Sequence, residues 1–241
     1  MKLLVPLFCI LLSPTVLSAA TVISYTATAD PNLSPDSVDN FGNPADAWVC
    51  TLPGSGTFDT GSYFAGGVSW ATYSVSQKAS AFHFFEGGDL AVDQGVSLVF
   101  ANAGMATGHS VGINISSGVT PLFSLYFTGG GPGTYSYMDA AGSGQDTGEP
   151  FSFYGSNTLT FTLTSATTYA ASFGTHAWTG TLTGDPVTAI EVFNDADQGA
   201  DNSVFFNSLA VYAVPEPSIA ALALIGVVVG TFSLRRKRNR S

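Results

Sequence analysis

Short apolar runs that alternate with polar residues recur along most of the chain, separated by Gly, Asn, Asp and Pro. The segments 22–29, 57–64, 68–75, 79–85, 96–101, 111–115, 122–128, 158–164, 167–173, 177–183, 187–193 and 204–212 read as strands. They are rich in Thr, Val, Phe and Tyr, the residues that suit a pleated, half-buried surface. Phe161 and Leu163 alternate strictly with threonines, and apolar and polar positions alternate again across 187–192. A period of two sends one set of side chains to a core and the other to solvent. No stretch before residue 218 has helical periodicity. Strands at a spacing of roughly 8–12 residues predict an all-β fold, an antiparallel β-sandwich of jelly-roll type. The Gly-rich stretches 129–133 and 140–148, and the irregular stretch 30–44, are expected to be surface loops.

Both ends break this pattern. Residues 1–20 carry Lys2, an apolar run from Leu3 to Leu12, and the small residues Ser18, Ala19 and Ala20. A charged start, an apolar stretch too short to span and small residues at the end make a secretory signal peptide, with cleavage expected after Ala20. Pro6 and Pro14 interrupt the run, which argues against a retained anchor. At the other end, Val214, Pro215, Glu216, Pro217 and Ser218 lead into an uncharged run over 218–234. As a helix those 17 residues reach about 25 Å at ~1.5 Å per residue. Long basic side chains make up the shortfall against a hydrocarbon core of ~30 Å by snorkelling. The run has no polar stripe, so it reads as a membrane span rather than a core helix. Arg235, Arg236, Lys237, Arg238 and Arg240 follow it and fix that end in the cytoplasm, with the domain outside. Pro215 and Pro217 favour an extended segment just outside the bilayer, open to a protease. The organisation expected is therefore a signal peptide over 1–20, an exported domain over 21–213 and a sorting tail over 214–241.

Export changes how charge and cysteine are read. Lys78 is the single basic residue of 21–217, against seventeen acidic ones, which leaves that part at −16. Such a field repels nucleic acid and anionic membranes. Neutral glycans, cations and other proteins remain as partners. Cys9 leaves with the signal peptide, so Cys50 has no partner for an internal disulfide and reads as a small buried hydrophobe.

The order Val-Pro-Glu-Pro, single span and basic cluster resembles the PEP-CTERM sorting domain, over about the last 28 residues. That resemblance implies recognition by an exosortase, an integral-membrane cysteine protease, at or near Val214–Pro217, after export through the Sec translocon. It also implies a Gram-negative, exopolysaccharide-producing cell, with the mature protein at its surface or in the extracellular matrix. Proteins with this tail share the tail and not the domain before it. Within the domain, Thr179–Asn194 and Asn202–Tyr212 are similar to the closing strands of concanavalin-like and carbohydrate-binding-module sandwiches. This implies a sandwich more strongly than it implies sugar binding.

Candidate chemistry is sparse. Asp195, Asp197 and Asp201 alternate in a short loop with Gly199, an arrangement that gathers oxygen ligands around a structural calcium ion. The loop departs from an EF-hand, since the twelfth position from Asp195 is Phe206. A solvated acidic hairpin loop is the competing reading. Tyr135 and Tyr137, on one face of an extended Gly-rich segment, are the best candidates for an exposed platform that stacks sugar rings, against the alternative that they fill the core. His83, His109 and His176 lie in separate segments without metal-ligand spacing. Gly67-Val68-Ser69-Trp70-Ala71 lacks the second Gly of a nucleophile elbow. No glutamate is paired at i, i+2 with another acid. The expectation is a non-catalytic surface or matrix protein for adhesion or matrix structure. A glycan-binding lectin-like module is the alternative, and a polysaccharide-active enzyme the weakest of the three.

Overall fold

The alternation built into the chain folds it as fifteen strands and no helix among the described residues, which are 20–26, 48–51, 57–64, 67–73, 78–85, 88–195 and 204–213 of a computed structural model. They are β1 (Ala20–Tyr25), β2 (Val49–Thr51), β3 (Thr57–Phe64), β4 (Gly67–Tyr73), β5 (Ala79–Phe84), β6 (Gln94–Asn102), β7 (Ser110–Ser117) and β8 (Thr120–Thr128). After these come β9 (Thr134–Asp139), β10 (Gly142–Pro150), β11 (Asn157–Ser165), β12 (Thr168–Phe173), β13 (His176–Thr181), β14 (Ala189–Asp195) and β15 (Val204–Ala213). One sheet runs β13-β12-β11-β6-β15-β4-β3, with β1 also on β15; the other runs β10-β9-β8-β7-β14-β5-β2. Every strand pairing is antiparallel.

The inner faces of the two sheets meet in one core. Val111, Ile113 and Ile115 of β7, Phe123, Leu125 and Phe127 of β8, and Ile190 and Val192 of β14 enter it from one side. Val96, Leu98 and Phe100 of β6, Leu159, Phe161 and Leu163 of β11, and Tyr169 and Phe173 of β12 enter from the other. Phe123 bridges the sheets, its ring 5.5 Å from Phe161 and 5.2 Å from Tyr169. Tyr135 of β9 does the same against Phe173 at 4.8 Å. Face-to-face packing of two antiparallel sheets around a shared apolar layer defines a β-sandwich. Each fully buried aromatic contributes about 1.5–3 kcal/mol, so no disulfide is needed to hold it.

One expected loop, 140–148, proves to be mostly strand, while 129–133 connects β8 to β9 as expected. Thr134–Asp139 and Gly142–Pro150 form the hairpin β9–β10 at the edge of their sheet. Glycine had marked 140–148 as loop, and its conformation explains the outcome: Gly142, Gly144 and Gly148 have φ of 136°, 74° and 77°. These left-handed positions make β10 irregular without ending its pairing, and the register shifts twice along it. The three-residue strand β2 was also missed, being too short for alternation to show. No helix among the described residues is long and apolar enough to cross a membrane. Residues 1–19 of the expected signal peptide, the tail from Val214 onward and the calcium-loop residues Asp197 and Asp201 lie outside the described residues, whereas Ala20 opens β1.

Candidate binding surface

Sandwich strands bury one face, so polar groups buried on the opposite face need a separate explanation. In the sheet that carries β14, Glu191 points away from the core, yet it is 1% exposed. Register places it between Phe82 of β5 and Asn114 of β7, with Ser124 of β8 beyond Asn114. Its carboxylate accepts from Asn114 Nδ2 at 2.6 Å, from Lys78 Nζ at 2.7 Å and from the Ser80 hydroxyl. The Lys78 ammonium also lies 4.9 Å from the centre of the Phe193 ring. The one base of the acidic exported part thus neutralises the one glutamate buried in this sheet.

Around this cluster the outer face is an uneven mixture. Asn114, Ser116, Ser80 and Ser124 are buried, as are Phe82 and Phe193, which lie outside the main core. Phe84 and Met138 on the same face are exposed. Phe84 stacks on Phe82 with ring centres 6.1 Å apart and planes 16° from parallel. Asn114 Oδ1 and Ser116 Oγ are buried without a hydrogen-bond partner. Because Asn114 spends Nδ2 on Glu191, its Oδ1 must face away from that carboxylate, and a flipped amide would set oxygen against oxygen.

A second polar cluster closes one end of the sandwich. Asp139, at the end of β9, accepts from the Ala141 N–H at 2.9 Å and from Gln145 Nε2 at 3.1 Å through Oδ1. Its Oδ2 takes the Tyr169 hydroxyl at 2.9 Å and the Thr181 N–H at 3.3 Å, which ties one sheet to the other. Gly180 is required there, since a Cβ would stand 2.2 Å from Asp139 Oδ2 and 2.4 Å from the Tyr169 hydroxyl. Burial, and then the hydrogen bond to Asp139, push the Tyr169 phenol well above its ordinary range. This network is structural, since it joins strands and faces inward.

The residues singled out in the sequence do not converge. Tyr135 is 1% exposed, enclosed by Phe100, Phe127 and Phe173, and donates its hydroxyl to Asn102 Oδ1. Burial, with a smaller push from the charge of Glu149, raises its pKa. Tyr137 is half-buried, stacked on Trp178 at 4.9 Å, and donates to Gln145. The pair therefore fills the core side of β9 and is not an exposed platform: alternation along β9 points both rings inward. Asp195 ends β14 on the surface, where its carbonyl oxygen lies 2.9 Å from His109 Nδ1. His83 is a packed strand residue on the inner face, 4.6 Å from the Tyr25 ring and 5.5 Å from Trp48. Among the described residues no group of three His, Cys, Asp or Glu side chains is placed to hold a metal.

The class defined by these observations is an all-β, antiparallel sandwich domain with a partly sealed polar cluster on one outer face. Residues 213–238 match the PEP-CTERM protein-sorting motif, so the chain carries that sorting signal after its last strand. The motif implies an exported, membrane-anchored precursor that an exosortase processes. No curated protein matches the chain. Among solved structures it is similar to a sialidase, at TM-score 0.49 and 12% identity, over 72% of this chain and 17% of that one. It is also similar to the receptor binding domain of botulinum neurotoxin D, at TM-score 0.48 and 9% identity, over 86% of this chain and 53% of the other. An alginate lyase from Corynebacterium sp. aligns at TM-score 0.47 and 10% identity, over 78% of this chain and 96% of the lyase. The chain thus spans about a sixth of the first of these proteins and about half of the second.

Proposed function

We propose that this chain is a non-catalytic surface or extracellular-matrix protein of a Gram-negative cell, exported as a tethered precursor and released from its anchor by an exosortase. The sorting motif at 213–238 is the observation that carries this reading. The acidic domain, at −16 over residues 21–217, would then serve adhesion or matrix structure outside the cell. The buried carboxylate supports a binding rather than a catalytic role. Glu191 is 1% exposed and held by three donors, so neither substrate nor water reaches it for general base work. A deletion strain should produce matrix of unchanged polysaccharide composition but weaker cohesion, restored by the chain in trans. Release of reducing or unsaturated sugar from matrix polymers by the purified chain would count for an enzyme instead.

A second reading is favoured by one feature of the outer face. Phe84 presents an exposed ring beside buried hydroxyl and amide groups. Aromatic surface next to hydrogen-bonding groups is the combination that a saccharide needs, with CH faces on one side and hydroxyls on the other. On this reading the sandwich holds matrix glycan directly.

A further inference from the structure

The structure assigns a site for an aliphatic diamine to a cleft at one end of the sandwich, between the β5–β6 loop, the β11–β12 turn and the β13–β14 loop. This goes beyond the adhesive and glycan-binding readings and rests on neither. The cleft has a volume of about 570 Å³, within the range of small-molecule sites. Its walls include Leu90, Val92, Leu163 and Pro186, and the only polar side chains that line it are Asp89 and Asp185. Both acids are exposed, as are Val92 and Pro186, so a ligand reaches charge and apolar wall alike.

Backbone hydrogen bonds hold this cleft open without a ligand. The Leu90 N–H donates to the Val187 carbonyl at 2.8 Å, which joins the two loops. The Asp93 N–H donates to the Leu163 carbonyl at 2.7 Å, which joins the first loop to β11. Gln94 closes that loop on itself, its N–H bonding the Ala91 carbonyl and its Oε1 accepting from the Ala91 N–H, both at 3.0 Å. Asp185 Oδ2 accepts from the Thr183 hydroxyl at 2.8 Å, which orients that carboxylate. A ligand therefore meets walls that are already in place, and little ordering cost opposes binding.

The placement of the two acids selects the ligand. The Phe85 N–H bonds the Thr188 carbonyl and the Leu90 N–H that of Val187, so the loops run antiparallel. Asp89 and Asp185 then fall on opposite sides of the Leu90–Val187 bond, with apolar wall between them. Lys78, the single lysine or arginine among the described residues, is committed to Glu191, so both acids await a cation from outside. A metal ion needs its ligands together, and no described group of three acidic, His or Cys side chains provides that. Two ammonium groups joined by methylenes meet both carboxylates and lay their chain on Leu90, Val92, Leu163 and Pro186.

The test is titration calorimetry on the full-length chain in detergent, with 1,5-diaminopentane as probe. Asp89→Asn and Asp185→Asn should each weaken binding about fivefold, the upper end for an exposed charge pair. Pentylamine, with one ammonium, should bind the wild-type chain more weakly than the diamine by a similar factor. Ala166→Trp and Ala91→Trp, exposed positions on two sides of the cleft, fill it without changing charge and should abolish the heat. Diamine binding that survives both fillings would mean counterion attraction to an acidic surface and would overturn the site. No diamine binding by the wild-type chain, or equal binding of the two amines, would overturn it too.

Discussion

Lys78→Met should unfold the domain at a measurably lower temperature, because it strands a carboxylate that the sheet has already buried. Glu191 is 1% exposed, while the Lys78 side chain is 43% exposed. A fully exposed pair contributes ~0.2–1 kcal/mol, and removing one partner of a fully buried pair costs ~3–5 kcal/mol. Solvent screening on the lysine side places this pair between those limits, at about 2 kcal/mol. Methionine keeps the apolar stem over Phe193, so the loss measures the charge and not the packing. For a domain of this size each kcal/mol lowers Tm by roughly 2–4 °C, which gives a fall of roughly 4–8 °C. The assay is a thermal melt followed by circular dichroism, repeated for Glu191→Gln and for the double variant. With the charge gone, the neutral amide can pair with a turned Asn114, so the double variant should lie at least ~1 kcal/mol above the sum of the single losses. A Lys78→Met chain that melts with the wild type, or a double variant that is strictly additive, refutes the reasoning.

Three further outcomes are open to measurement. Tyr135, Tyr169 and Tyr212 have phenols held above their ordinary range chiefly by burial, so their contribution is complete below the unfolded-chain value of ~10 and is lost as pH rises beyond it. Tyrosinate absorbance of these three should therefore appear only with loss of the near-ultraviolet dichroism, and ionisation in a chain that stays folded would contradict this. Gly95→Ala should cost toward the upper end of ~1–3 kcal/mol, since its Cβ would lie 2.3 Å from the Phe161 carbonyl oxygen and 2.7 Å from the Tyr212 ring; an unchanged melt would show that the strand gives way freely. The calcium reading of Asp195, Asp197 and Asp201 expects a higher Tm with calcium than with chelator, and equal melts remove it.

The strands were legible where each side chain had one fate. In β11 every second residue is a threonine, and the apolar residues between them, Leu159, Phe161 and Leu163, are buried. The hairpin β9–β10 was not legible, because glycines that normally end a strand here occupy bulged, left-handed positions inside one. The same error put Tyr135 and Tyr137 on the surface. The polar cluster was hidden for another reason: Lys78, Asn114 and Glu191 are scattered along the chain and meet only through register. One signal was nonetheless present. A lone base among seventeen acids is expected where a buried anion needs it, and Glu191 is the acid inside the otherwise apolar run 189–193 of β14.

The central claim is that the tail is a cleavable export address, and the mass of the mature chain tests it most directly. Wild-type protein recovered from the cell exterior should have lost the segment beyond the Val214–Ser218 region. A chain with Pro215→Ala and Pro217→Ala, or with its five tail bases made neutral, should stay cell-associated at precursor mass. Recovery of either variant outside the cell at the wild-type mature mass would contradict the account.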